Sequence, residues 1–248
     1  MEKNKKLNKE LLQERVEKII IWIKNSVEKA GRKGVIFGLS GGLDSAVLAV
    51  LCQRAFSDNT MALILPCESA ENDILDAMKI INKYHVNYKN IDLTPIYHQI
   101  LSITQIDHKN IMARANIKPR LRMIVLYYFA SIFDYLVVGA SNKSEISIGY
   151  FTKYGDGGVD ILPLGNILKT EIFEIARFLE IPENIISKPP SAGLWENQTD
   201  EQEMGFSYEQ LDSFLKYGTL KNKEIEKTIL AMNRTSAHKR KRPPVLNI

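Results

Sequence analysis

The stretch Val35-Ile36-Phe37-Gly38-Leu39-Ser40-Gly41-Gly42-Leu43-Asp44-Ser45 decides the fold. Val35 to Phe37 is apolar throughout, which reads as a parallel strand buried on both faces. Glycines and serines follow at once, and Leu43 to Phe56 reads as a helix. A strand, a glycine-rich loop and a helix, in that order, make a cradle for phosphate. Glycine lets the main chain approach phosphate oxygens, and a helix start offers free N–H groups and the positive end of its dipole. Ser40 and Ser45 add hydroxyl donors. The loop is not a Walker A loop, since no Gly-Lys-Ser/Thr follows at the required spacing, and it is not the G-x-G-x-x-G dinucleotide turn. The plainer alternative is a tight turn that merely needs glycine.

Outward from this loop, strands and helices alternate. Residues 7–29 carry Leu11, Leu12, Val16, Ile19, Ile20, Ile23 and Val27 at helical spacing, ended by Gly31 and Gly34. Thr60 to Leu65 is a second strand, stopped by Pro66. Ser69 to Tyr84 is a helix whose start Ser69, Asn72 and Asp73 mark. Tyr88 to Leu93 is a third strand. Residues 94–134 are expected to be helical with a break near Pro119. Within them the apolar run Met123–Phe129 is either deep core or a subunit interface. Tyr135 to Ala140 is a fourth strand and Thr170 to Leu179 a further helix. Residues 187–205 read as a mobile loop, and short helices are expected near 207–216 and 222–233. The pattern predicts an α/β fold: a doubly wound, mainly parallel sheet with helices on both faces and added N- and C-terminal helices.

Composition narrows the function classes. The 248 residues carry a net charge of +4, a mild excess that suits a small polyanion as well as a nucleic acid. Cys52 and Cys67 are too few for a disulfide framework or a zinc cage. No signal peptide and no spanning apolar run is visible, so a cytoplasmic protein without a membrane partner is expected.

Five segments downstream sharpen the reading. They are Asn116–Met123, Gly139–Glu145, Phe151–Asp160, Lys188–Trp195 with Gln198–Glu201, and His238–Arg240. Together with Ser40–Ser45, they resemble the NAD synthetase family of PP-loop ATP pyrophosphatases. The likeness runs from about residue 15 to the end of the chain. It implies an adenine nucleotide alpha hydrolase-like fold and one synthetase domain over residues 1–248. It also implies ATP as co-substrate, Mg2+ as cofactor, and amidation of deamido-NAD by ammonia through an adenylate. A homodimer is the family habit, and no nucleic acid is a partner. About 34 residues precede the first strand, so no glutaminase domain is expected, and glutamine is not expected to serve directly as nitrogen donor.

The same resemblance implies roles for single residues. Gly38, Leu39, Ser40, Gly41, Gly42, Leu43, Asp44, Ser45, Ala140, Lys169 and Ser191 fall on ATP positions. Arg120, Lys153, Asp160, His238 and Lys239 fall on deamido-NAD positions. Asp44 and Glu145 fall on metal positions, and Asp44 and Lys169 on catalytic ones. Each has a plainer alternative. Asp44 and Glu145 suit helix caps, Lys169 a solvated lysine, Ser191 a polar loop residue, and Arg120 a structural ion pair. Lys153 and Asp160 flank a glycine cluster that suits a turn, and His238–Arg242 suits a basic tail. Two positions depart from the pattern. Ala140 stands where threonine is common, and Leu65–Ser69 is poorer in serine, which weakens the adenosine side. His85, His98 and His108 match no segment and read as surface or cap residues.

Overall fold

The computed structural model describes residues 9–104, 110–193, 195 and 198–246. Residues 7 and 8 of the expected first helix, His108 and Leu194 lie outside them.

In chain order the described elements are α1 (Lys9–Lys29), β1 (Gly34–Gly38), α2 (Leu43–Phe56), β2 (Thr60–Ile64), α3 (Glu71–Tyr84), β3 (Asn87–Asn90), α4 (Thr94–Thr104), α5 (Ile111–Ala115), α6 (Ile117–Phe133) and β4 (Tyr135–Val137). Then come α7 (Lys143–Ile148), α8 (Lys169–Phe178), α9 (Glu183–Ile186), α10 (Asp200–Met204), α11 (Tyr208–Tyr217) and α12 (Lys223–Thr235). The strands form one sheet in the order β3-β2-β1-β4, and every pairing is parallel.

Alternation along the strands explains the two layers of helix. Val35 and Phe37 of β1, Ala62 and Ile64 of β2, and Leu136 of β4 face a core shared with α1, α2 and α8. Ile36, Leu63 and Val137 point the other way, into a core with Tyr97 of α4 and Leu121, Leu126 and Ala130 of α6. Period-two side chains that are apolar on both faces require cover on both faces. A third cluster packs Met204, Phe206, Tyr208, Leu211 and Ile229 against Ile148 of α7.

Strand order reverses between β1 and β4, which are adjacent although β2 and β3 follow β1 in sequence. In open parallel sheets the crevice at such a reversal takes the ligand. The phosphate loop leaves β1 there, and Gly139–Asn142 leaves β4.

Several local expectations are corrected. Pro119 does not break a helix. It is the third residue of α6, where its missing N–H is one of the donors a helix start leaves unpaired anyway. The break falls at Asn116, which ends α5 and opens α6. Ser69 does not cap α3, because its Oγ accepts from Cys67 N at 3.2 Å and from Arg122 Nη2 at 3.3 Å; Ala70 precedes the helix without a side-chain cap. The second, third and fourth strands are shorter than expected. Within 187–205, Asp200–Met204 is helix. The apolar segment of α6 is not uniformly buried. Leu126 and Ala130 are core, whereas Ile124, Tyr128 and Ile132, each one turn apart, are 59%, 62% and 55% exposed.

Candidate active site

The phosphate loop is held by its own hydroxyls. Ser45 Oγ donates to Gly42 O at 2.9 Å and lies 3.0 Å from Ser40 Oγ, which accepts from Gly42 N at 3.2 Å. Gly41 has φ +80°, and a Cβ there would lie 2.1 Å from Asp73 O, so only glycine lets α3 pack on the loop. No side chain caps α2, which leaves its first-turn N–H groups for an anion. Leu39 and Leu43 are buried and anchor the loop in the core, while Ser40 is exposed.

Beside this helix start sit three charged groups from three helices. Lys169, first residue of α8 and 3% exposed, pairs with Asp44 Oδ2 and lies 3.4 Å from Glu145 Oε1. Asn142, fully buried, donates from Nδ2 to Asp44 Oδ1 at 2.8 Å. Asn142 also forms a capping box with Glu145 at the start of α7. The capping reading is therefore correct for Glu145 without exhausting it, because one carboxylate oxygen still reaches Lys169.

Burial and the nearby Asp44 push the Glu145 carboxyl up to about 8. Burial disfavours charge on Lys169, but Asp44 and Glu145 outweigh it and hold the ammonium charged, with its pKa above the ordinary lysine value. Asp44 and Glu145 share this one ammonium, and the repulsion that would follow from ionising both carboxyls is what a further cation at the pair would relieve. Asp44 and Glu145 offer hard oxygen donors, and the described residues contain no cluster of three or more metal-ligating side chains. One or two carboxylates completed by phosphate and water is the ligand set that suits magnesium.

The second group of candidate residues forms a rim on turns. Thr152–Gly158 is a compact turn in which Thr152 O accepts from Gly155 N and Gly157 N. It docks on the first turn of α6, where Thr152 Oγ1 donates to Asn116 Oδ1 at 2.6 Å. Arg120 Nη2 donates to Lys153 O at 3.4 Å, and Lys153 Nζ donates to His238 O at 2.9 Å. These three are brought together. Lys239 faces inward instead, donating to Gly149 O and Phe151 O at 2.8 and 2.9 Å. Asp160 accepts from Val137 N at 2.8 Å and from the Tyr127 hydroxyl at 3.0 Å, so its carboxylate ties β4 to α6. Ser191 is exposed, and its Oγ accepts from Gly193 N at 3.1 Å. Ala140 is half-buried against the core formed with α1, α2 and α8.

A family model described as NAD synthase matches residues 15–243. This chain belongs to the NAD synthase family. The NH(3)-dependent NAD(+) synthetase of Syntrophomonas wolfei is 48% identical over 240 residues, covering 94% of this chain and 95% of that protein. The protein of the same name from Carboxydothermus hydrogenoformans is 46% identical over 236 residues, with 94% and 97% covered. Among solved structures, NMN synthetase from Francisella tularensis superposes with a TM-score of 0.91 at 38% identity, covering 96% of this chain and 99% of that one. An NH3-dependent NAD synthetase from Campylobacter jejuni gives 0.79 at 31%, with 95% and 99% covered.

Within this NAD synthase fold, sequence reasoning missed the groups behind the lysine. Tyr208 and Asp200 are 3% and 4% exposed, and the Tyr208 hydroxyl donates to Asp200 Oδ2 at 2.8 Å. Lys169 Nζ lies 5.1 Å from the centre of the Tyr208 ring. Asp212 accepts from the Ser144 hydroxyl and, at 2.8 Å, from Thr170 N. The only signal for any of these was Asp200 lying in Gln198–Glu201. Asp44, Glu145, Lys169, Asp200 and Tyr208 all sit in the first turn of a helix.

Proposed function

We propose that this protein uses ATP to join ammonia to the nicotinate carboxylate of deamido-NAD, giving NAD, AMP and pyrophosphate. The observation that carries this is the gathering of Asp44, Glu145 and Lys169 beside an uncapped glycine-loop helix start, in a chain of the NAD synthase family. The enzyme is a ligase that forms a carbon–nitrogen bond.

The carboxylate oxygen attacks the α-phosphorus, and the bond to the β-phosphate oxygen breaks. Ser40–Ser45 and the start of α2 hold the departing pyrophosphate through N–H and hydroxyl donors. Lys169 neutralises charge that grows on it. Asp44 and Glu145 are the residues that would hold magnesium, which when bound supplies further charge neutralisation at the phosphates. Ammonia then attacks the acyl carbon, AMP leaves with the bonding pair, and the new nitrogen sheds a proton. The loop bearing Ser191 covers the nucleotide and keeps water from the adenylate. Arg120, Lys153 and His238 meet the acid substrate directly. Asp160 and Lys239 shape its wall through the main-chain bonds they make.

Incubation of the purified chain with ATP, Mg2+ and deamido-NAD, with and without ammonia, tests this. NAD, AMP and pyrophosphate are expected in the presence of ammonia; ADP formation, or no turnover, refutes the reading. A second acid has a specific observation behind it, the TM-score of 0.91 to a structure described as NMN synthetase. Comparing kcat/KM for deamido-NAD and for nicotinate mononucleotide decides between the two. We also propose a homodimer built on the exposed Ile124, Tyr128 and Ile132 of α6, since such a stripe on a soluble chain calls for cover. Tyr128→Glu is expected to yield monomers on sizing with light scattering. Among the described residues no helix is long and apolar enough to cross a membrane. Both cysteines are free and buried, which suits work in a reducing cytoplasm.

A further inference from the structure

Asp200 joins three parts of the molecule. Its backbone N donates to Pro190 O at 2.9 Å, beside Ser191 in the loop. Its Oδ1 lies 3.1 Å from the Tyr150 hydroxyl, whose one proton is shared between Asp200 and Glu203 Oε2 at 2.8 Å. Tyr150 N donates to Glu145 O at 2.9 Å, on the helix that bears the metal-side carboxylate. Its Oδ2 takes the Tyr208 hydroxyl, whose ring lies against the Lys169 ammonium.

Helix α11 therefore grips Lys169 twice. Asp212 accepts Thr170 N, and Ser144 Oγ, itself bonded to Asp212, accepts Lys169 N at 2.9 Å, so the lysine's main chain is fixed. Tyr208, four residues earlier and so on the same helix face, meets the lysine's far end. A cation over an aromatic face is attracted most when both are desolvated, and both side chains here are buried. The hydroxyl bond to Asp200 fixes the tilt of that ring.

We propose that Tyr208 and Asp200 are positioning residues for Lys169, which through the Tyr208 ring set where the lysine ammonium stands between Asp44 and Glu145. This rests on the reading of Lys169 as the phosphate-side cation. The backbone bond to Pro190 O holds Asp200, Asp200 holds the Tyr208 ring, and the ring holds the ammonium. Neither residue needs to touch a substrate.

A double-mutant cycle on the full chain tests it, with Asp200→Asn and Lys169→Gln alone and combined. Turnover, KM for ATP and the urea unfolding midpoint are measured for each. Misplacing one catalytic group by about 1 Å can cost up to a hundredfold in rate, so Asp200→Asn is expected to lower kcat at least about tenfold. KM for ATP should move less than about threefold. In the Lys169→Gln background Asp200→Asn should lower kcat by less than about twofold, because a residue that acts through the lysine has nothing left to place. The midpoint cycle should be non-additive in the same sense, which keeps the test readable if Lys169→Gln turnover is undetectable. Tyr208→Phe keeps the ring and loses the hydroxyl, so it should fall between wild type and Asp200→Asn; it replaces the latter if that variant does not fold. Equal losses in both backgrounds, or no loss in the wild-type background, overturn the proposal. If Lys169→Gln itself turns over normally, the reading of Lys169 fails instead.

Discussion

At the phosphate end of the site, Lys169 is 3% exposed and bonds to the side chains of Asp44 and Glu145. At the rim, Arg120 and His238 are exposed, and Arg120, Lys153 and His238 are joined through main-chain carbonyls. The phosphate end is fixed by charged groups that came out of water together, each needing the others. The rim takes its shape from turns, and its side chains rest on carbonyls that tolerate their removal. A buried set of this kind is preorganised before ligand arrives, whereas an exposed set adjusts to it. Substitution should therefore cost chemistry at one end and affinity at the other.

The largest break should come from Asp44→Ala. It removes one partner of a buried lysine and one proposed metal ligand, so turnover should fall on the order of a thousandfold. Full activity in the steady-state assay would remove Asp44 from the chemistry. At the rim, His238→Ala should raise KM for the acid substrate about tenfold, the scale of one lost polar contact, with KM for ATP within about twofold. His238 Nδ1 lies 3.1 Å from Thr235 O, a carbonyl that can only accept, so Nδ1 carries the proton and Nε2 is the acceptor of the neutral ring. Equal rises in both KM values would erase the contrast between the two ends.

The smallest effect lies at the root of the loop. Lys188 Nζ donates to Asp73 Oδ1 at 2.6 Å and to Asp76 Oδ2 at 3.2 Å, and Asn184 donates to Asp76 Oδ1 at 2.7 Å. Burial raises the Asp76 carboxyl, but hydrogen bonds from Lys79 and Lys188 and their charges lower it further, so it stays below the ordinary carboxylate value. A carboxyl lowered by folding adds stability above its unfolded pKa and loses it as pH falls. Asp76→Asn should therefore cost about 1–2 kcal/mol near neutrality, and the gap to wild type should close below about pH 4. Thermal melts across that range read it directly. A gap that widens in acid would reverse the assignment.

How much of this could be read from residues alone follows the same division. The layers of the fold were legible because Val35–Phe37 and Thr60–Leu65 are apolar on both faces, and only helices on both sides cover such strands. The loop was legible because two glycines between an apolar strand and a helix suit a phosphate cradle, and Gly41 stands where no side chain would fit against Asp73 of α3. Lys169 was legible by resemblance alone, since lysine is usually solvated and nothing local shows that two distant carboxylates will receive it. Asp160 suited a turn or a ligand contact, yet its carboxylate closes β4, a partnership 23 residues away in sequence. Pro119 misled because a proline inside a helical pattern and one in a helix's first turn look alike until the start at Ile117 is known. Tyr208 and Asp200 gave no role at all. Their meaning lies in a contact between helices that only packing creates.

Five groups of the site stand at the beginnings of five separate helices, spread from residue 44 to residue 208. Each helix can keep its internal hydrogen bonds while its beginning drifts from the others. Such a centre is a gauge of docking rather than of helix content. In rising urea, turnover should vanish while far-ultraviolet ellipticity is still near its native value, and bound nucleotide should draw the two transitions together.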